Sequence, residues 1–334
     1  MKKLLFILLI GLLSLGASAQ KQNNKPSVVY SLPKTVLIVK VKVSKTIEEL
    51  GPYYRYAERY LGMKDVIMES KTTYDVSKVQ VHRKGLADET KTFQLKNGLV
   101  TLNSKGVICG INTGCKKEDK KEAPKSKKKK SDIDFLSNTV LTEDQLVANS
   151  TAKMAENAAK QIYRIRESRI NLISGENEQL PADGESLKLM LKKLDQTEKA
   201  LVELFTGRTT KKTIKEEFEI VPDKDIKDYV LFRISSLNGI VDKDDLSGSP
   251  VYINLTCKKN NTPPIKVKKG EGYFYNLPGL AKVVVSSGEK EYFNKDVEVS
   301  QHGSLQQIPC KALKNRKIKV KYNDKTGALI SIGK

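Results

Sequence analysis

The apolar residues of this chain change their spacing twice, and any fold must accommodate both changes. Val36-Leu37-Ile38-Val39-Lys40-Val41-Lys42-Val43 ends in alternating lysine and valine, the pattern of a strand with one wet and one buried face. Over residues 151–173 the period becomes helical, with Ala155, Ala158, Ile162 and Ile165 on one stripe and a stop at Ser174-Gly175. A second helical stretch, 185–205, aligns Leu187, Met190, Leu191, Leu194, Leu201, Leu204 and Phe205 ahead of Gly207. From Thr213 onward the period returns to two, in short segments at 218–221, 229–234, 251–255, 272–275, 281–285 and 292–299. The reading is α+β: β-rich N- and C-terminal units, an antiparallel sandwich or barrel-like, around a central antiparallel αα-hairpin.

The boundaries follow from composition. Residues 20–115 form the first β-rich unit, which holds a strand at 77–83, a hairpin of 99–102 with 107–111, and a short Tyr-rich helix opened by Gly51-Pro52. Lys116 to Lys130 carries nine Lys against three acids and has no core-forming residues, so 116–140 reads as a disordered linker. The αα-hairpin takes 141–207, beginning with the capping-box pattern Thr142-Glu143-Asp144-Gln145. Residues 208–334 form the antiparallel β domain, closed by a hairpin of 318–321 with 329–332.

The first twenty residues set the compartment. Lys2 and Lys3, an apolar run of about a dozen residues from Leu4, and Ala17-Ser18-Ala19 form a signal peptide cleaved near Ala19. That run is shorter than the roughly 20 residues that span a bilayer, and no later segment is apolar enough to do so. The chain is therefore expected to be exported, periplasmic or outer-membrane-associated, with no transmembrane segment in its mature form. Export allows Cys109, Cys115, Cys257 and Cys310 to pair, and the domain boundaries favour Cys109 with Cys115 and Cys257 with Cys310. The spacing of Cys109 and Cys115, without a local His, does not match a zinc site.

Residues 150–169 (STAKMAENAAKQIYRIRESR) resemble the signature of an exported protein family of the Bacteroides group, domain-of-unknown-function family 4831. Ser174-Gly175-Glu176, Gln179 to Gly184, Leu204 to Gly207, Tyr30 to Thr35 and Gly51 to Gly62 are similar to it as well. The resemblance implies an envelope protein with no assigned activity. The lysine-rich run and the four cysteines depart from its pattern.

Ser150-x-x-Lys153, Ser236-x-Asn238 and Lys325-Thr326-Gly327 follow the order used by penicillin-recognising serine enzymes. Ser-x-x-Lys also occurs at Ser31, Ser126 and Ser287, and Lys325-Thr326-Gly327 reads as a turn, so acyl transfer is only a remote alternative. His82 and His302 stand alone, Asp242-Lys243-Asp244-Asp245 lacks the closing Glu of a calcium loop, and nucleotide-binding glycine patterns are missing. Tyr53, Tyr56 and Tyr60 repeat at three and four, which reads as a short helix packed onto the sheet in preference to a ligand groove. Arg164, Arg166 and Arg169 are the candidate anion or partner-binding set, with ion pairing to Glu167 or to the second helix as the plainer role.

Sixty Lys+Arg stand against 39 Asp+Glu, a net charge of +21. In an exported protein the available polyanions are lipopolysaccharide, other anionic glycans or a membrane surface, and not nucleic acid. The expectation is a non-enzymatic structural or interaction protein of the cell envelope, without cofactor or metal, with a protein partner. The alternative is a polyanion-binding protein that uses its basic segments.

Overall fold

The computed structural model describes residues 28–95, 100–115, 143, 147–175, 183–265, 272–309 and 317–333. The signal peptide, the lysine-rich run and Cys310 lie outside the described residues. Of the capping-box pattern only Glu143 lies inside them.

The alternating stretch is the middle of a longer strand. β1 (Val28–Glu49) turns Leu37, Val39, Val41 and Val43 into the core, all fully buried, and Lys40 and Lys42 outward. β1 pairs antiparallel with β2 (Lys71–Leu95) on one side and with β5 (Arg208–Ile220) on the other. A second sheet has the order β10-β9-β8-β6-β7, from β6 (Ile226–Ser235), β7 (Gly239–Val241), β8 (Ser249–Lys258), β9 (Gly272–Ser287) and β10 (Lys290–Pro309). The two sheets enclose the largest core, where the β1 residues meet Phe232, Ile253, Leu255, Val283, Val285 and Val299. β9 joins two segments that read as separate strands, 272–275 and 281–285, and β10 carries the segment 292–299 on to Pro309, because bulges interrupt the alternation without ending the ladder.

The third sheet joins sequence ends. Its order is β12-β11-β4-β3, from β3 (Val100–Leu102), β4 (Ile108–Ile111), β11 (Lys319–Tyr322) and β12 (Leu329–Gly333). Val320 pairs with Ile111 and Leu37 with Ile220, so residues 20–115 and 208–334 share two sheets. The boundary at 208 is one of sequence, crossed by hydrogen bonds in space.

The helical unit lies between them in the chain. A 3-10 turn (Tyr54–Tyr56) runs into α1 (Ala57–Leu61), followed after β4 by α2 (Thr151–Ser174) and α3 (Gly184–Thr206). Each long helix extends the expected span by one or two residues. Ser150 Oγ accepts the Lys153 backbone N–H at 3.2 Å, and Asp183 Oδ1 accepts that of Ser186 at 2.7 Å, so both helices start on side-chain caps. Ala155, Ala158, Ile162, Leu201, Leu204 and Phe205 close a separate core over Tyr53 and Ala57.

A buried polar joint fixes the β11–β12 turn to the sandwich. Thr35 N–H donates to Ser300 Oγ at 2.8 Å, and Ser300 N–H donates to Thr35 Oγ1 at 3.0 Å. Thr35 Oγ1 donates to the Lys325 carbonyl, and Asn276 Nδ2 to the carbonyls of Ser300 and Thr326. At Gly85 a Cβ would overlap the Asp324 carbonyl oxygen, so only glycine permits this close approach.

Candidate functional site

The residues singled out in the sequence are mostly occupied by structural work. Ser150 is the α2 cap and Lys153 Nζ pairs with Glu156 at 3.1 Å. The Ser236 carbonyl accepts Tyr74 N–H beyond β6, and Thr326 is fully buried in the polar joint. The three segments of the acyl-transfer pattern therefore sit in three different parts of the fold. His302 Nε2 contacts the Pro222 carbonyl at 2.9 Å. Asp245 Oδ1 accepts Ser247 N–H, and this bond with the Ser247 side chain holds its carboxyl below the usual range. Among the described residues no group of three or more His, Cys, Asp or Glu is placed to hold a metal ion.

Tyr53 packs edge-on against Phe205 at 5.5 Å and Tyr56 stacks on Tyr60 at 6.1 Å, so the tyrosine stripe packs on the two long helices and not, as expected, on the sheet. Arg166 Nε donates to Glu198 at 2.7 Å, and Arg169 reaches both Glu198, at 2.7 Å, and Asp195. Burial opposes ionisation of Glu198, but hydrogen bonds and charge from the two arginines outweigh it and hold its carboxyl below the ordinary value. Arg164 is exposed on another face. Two of the three candidate arginines thus clamp α2 to α3, as the plainer role requires.

Cys109 and Cys115 form a disulfide beside β4. Cys257 is a free thiol, and burial, with Asp225 nearby, pushes it up to about 11. Cys310, the partner expected for Cys257, lies outside the described residues.

Two surface features emerge that no local signal marked. The first is a seam. Among the described residues β2 pairs only with β1 and β10 only with β9, so each has one edge with no described partner strand, and side chains of the two strands meet. Arg83 meets Glu298 at 2.6 Å and Lys290 meets Asp75 at 3.5 Å across it. Between them lies a cleft of about 1010 Å³, lined by Val79, Val81 and His82 from β2 and by Phe293, Lys295 and Val297 from β10. Burial raises the Tyr292 phenol at its margin above the ordinary value, with Lys290 over the ring at 5.2 Å.

The second feature is a row of lysines. Lys78 faces Lys42, and Lys42 faces Lys215, directly across the outer side of the three-stranded sheet. Neighbouring lysines there are neutralised, Lys40 by Glu217 at 2.7 Å and Lys84 by Glu219 at 2.8 Å. The row itself has no ion pair among the described residues, although like charges directly opposite on a ladder repel. Only register brings these three together, which is why their positions in the chain conceal them.

A family model described as Domain of unknown function (DUF4831) matches residues 26–330. No curated protein and no solved structure matches the chain.

Proposed function

The chain belongs to the DUF4831 family of unknown function, and from that premise we propose that it is an exported, non-enzymatic interaction protein of the cell envelope. The observation that carries this reading is the seam, where two long strands have edges unpaired among the described residues beside a cleft of binding-site size. An unpaired edge is a template for another chain, and native proteins cover or blunt such edges unless they use them. The signal-peptide pattern at residues 1–19 supports export.

The test is in-cell photocrosslinking of the full-length protein. A benzophenone amino acid at Gln80 or Asn294, both lining the seam, should trap a discrete envelope protein after signal cleavage near Ala19. The same group at Thr213, on the outer strand β5, should not. Equal adducts from all three positions, or none from the seam, would overturn the proposal.

The lysine row supports a second reading, binding of an anionic glycan across the three-stranded sheet. Retention on a sulfated polysaccharide at low salt, lost within the physiological range and weakened by Lys42→Glu, is the expected result. Absence of retention at low salt removes this reading.

A further inference from the structure

Among the described residues the three sheets end in six edge strands, and five of them are blunted in one of two ways. β3 and β7 are three residues long, and β2, β5 and β10 carry charged residues along their length. Shortness and charge are ordinary protections of an edge. β12 has neither, since Leu329-Ile330-Ser331-Ile332-Gly333 is of ordinary strand length and holds no charged residue. Among the described residues it pairs only with β11, and no backbone hydrogen bond reaches it from elsewhere. Its one irregularity is Ile330, left out of the register with β11, while Ser331, Ile332 and Gly333 stay in step with Lys321, Val320 and Lys319.

The side chains at this edge define what a further strand would meet. Ile332 stands opposite Val320 and so shares its core-facing side, yet Val320 is fully buried and Ile332 is 52% exposed. The core beneath the third sheet is thus covered as far as β11 and left open at Ile332, with Ile330 exposed beside it. On the outer side, Lys321 stands opposite Ser331 and Gly110, and Lys319 opposite Gly333. Neighbours this small leave both lysines room to lean over β12 toward the edge. Neither lysine has an ion pair among the described residues, and none of the four strands contains an Asp or Glu. The nearest acid along the chain, Asp324, lies in the β11–β12 turn. An apolar inner side beside a cationic, acid-free outer side fits a strand that alternates apolar and acidic residues, and a net charge of +21 disfavours a second copy of this chain in that place.

We infer that the free edge of β12 docks one extended segment of a partner protein, antiparallel to β12, with an apolar residue beside Ile332 and acidic residues that meet Lys319 and Lys321. Main-chain hydrogen bonds to the edge supply the hold, and the alternating side chains supply the preference. The edge is built from other strands than the seam and does not depend on the seam being a partner surface.

The probe is a synthetic peptide, Ser-Glu-Val-Glu-Val-Glu-Ser, added to the mature protein, with a second peptide carrying Lys for each Glu. With the Glu peptide, hydrogen exchange should show new protection at 329–333 and none at 208–220. The Lys peptide should bind about tenfold more weakly, a difference of about 1.4 kcal/mol. The double variant Lys319→Glu, Lys321→Glu changes two exposed positions that folding should tolerate, and it is expected to invert the preference. Absence of protection at millimolar peptide, equal protection of β5, or an unchanged preference in the double variant overturns the inference. In peptide-free protein a benzophenone amino acid at Ile330 should leave the chain monomeric, and a covalent dimer would show that a second copy holds the edge and would overturn the inference too. If the peptides fail while Gln80 and Asn294 still crosslink a partner in cells, the β12 edge falls and the seam stands. If the peptides protect 329–333 and the seam positions trap nothing, the edge stands and the seam falls.

Discussion

In the sandwich, one strand contributes Leu37, Val39, Val41 and Val43 to a core of large aliphatic residues drawn from six strands of two sheets. In the helical unit, the corresponding stripe includes Ala155, Ala158 and Ala159, and beyond its apolar core the two helices are clamped by Arg166 and Arg169 on Glu198. Alanine lets helices approach closely but buries little area, so charge and caps carry a larger share of the hold there. The sandwich should unfold as one cooperative body, and the hairpin should respond to pH, salt and cap chemistry. The difference also separates roles, since the seam belongs to the rigid body.

The largest expected effect is in the sandwich. Ile253→Ala, at a fully buried site, should cost about 3–4 kcal/mol in urea unfolding. Ile162→Ala deletes the same atoms from the helical core, and hydrogen exchange should then show the helices opening while β8 and β9 stay protected. Uniform loss of protection in both variants would show the two cores to be one unit.

Close approaches give the next contrast. Gly85→Ala should cost about 2 kcal/mol and loosen the β11–β12 turn, because its Cβ has no room beside Asp324. Gly51→Ala, whose Cβ would lie 2.5 Å from the Leu204 carbonyl oxygen, should instead weaken only the docking of α3. Reduction of Cys109–Cys115, which closes a short loop, should remove about 2 kcal/mol from the β side and leave helical amides unchanged.

Glu198 supplies the pH test. Its carboxyl is held below the ordinary value, so the stability it contributes is fully present above the unfolded value near 4.3 and is lost as pH falls through the lower folded value. Acidification from pH 5 to 3 should therefore release the hairpin before the sandwich melts, and Glu198→Gln should cost about 1.5 kcal/mol and abolish that difference. The smallest expected effect is Ser150→Ala, about 1 kcal/mol from the α2 cap, read as earlier fraying of 151–154. A loss of protection in β2 or β10 on that change would join the hairpin to the seam.

The helical half of the molecule was almost wholly legible in the residues. Both helix spans and their antiparallel pairing follow from spacing, whereas the sequence left the arginines' partner open between Glu167 and the second helix and put Tyr53, Tyr56 and Tyr60 on the sheet, where the structure has them on the helical core. The inward face of β1 was legible too, as was the Cys109–Cys115 pair. The length of β9 and β10 was not, because bulges at Tyr292 and near Ser300 disturb a period-two pattern that the hydrogen-bond ladder survives. The seam and the lysine row left no trace, since each is assembled from strands far apart in the chain.

By itself the sequence determined what each segment becomes and which side of it is apolar. Helical hydrogen bonds and stripes close within four residues, so a local window contains the information that decides them. Only the tertiary structure decided which strands are neighbours. Leu37 pairs with Ile220 and Val320 with Ile111 because the buried faces fit together in space, and nothing within either segment names its partner. The same choice of neighbours brought β2 and β10 together without a ladder between them among the described residues, so the candidate site exists as a consequence of topology.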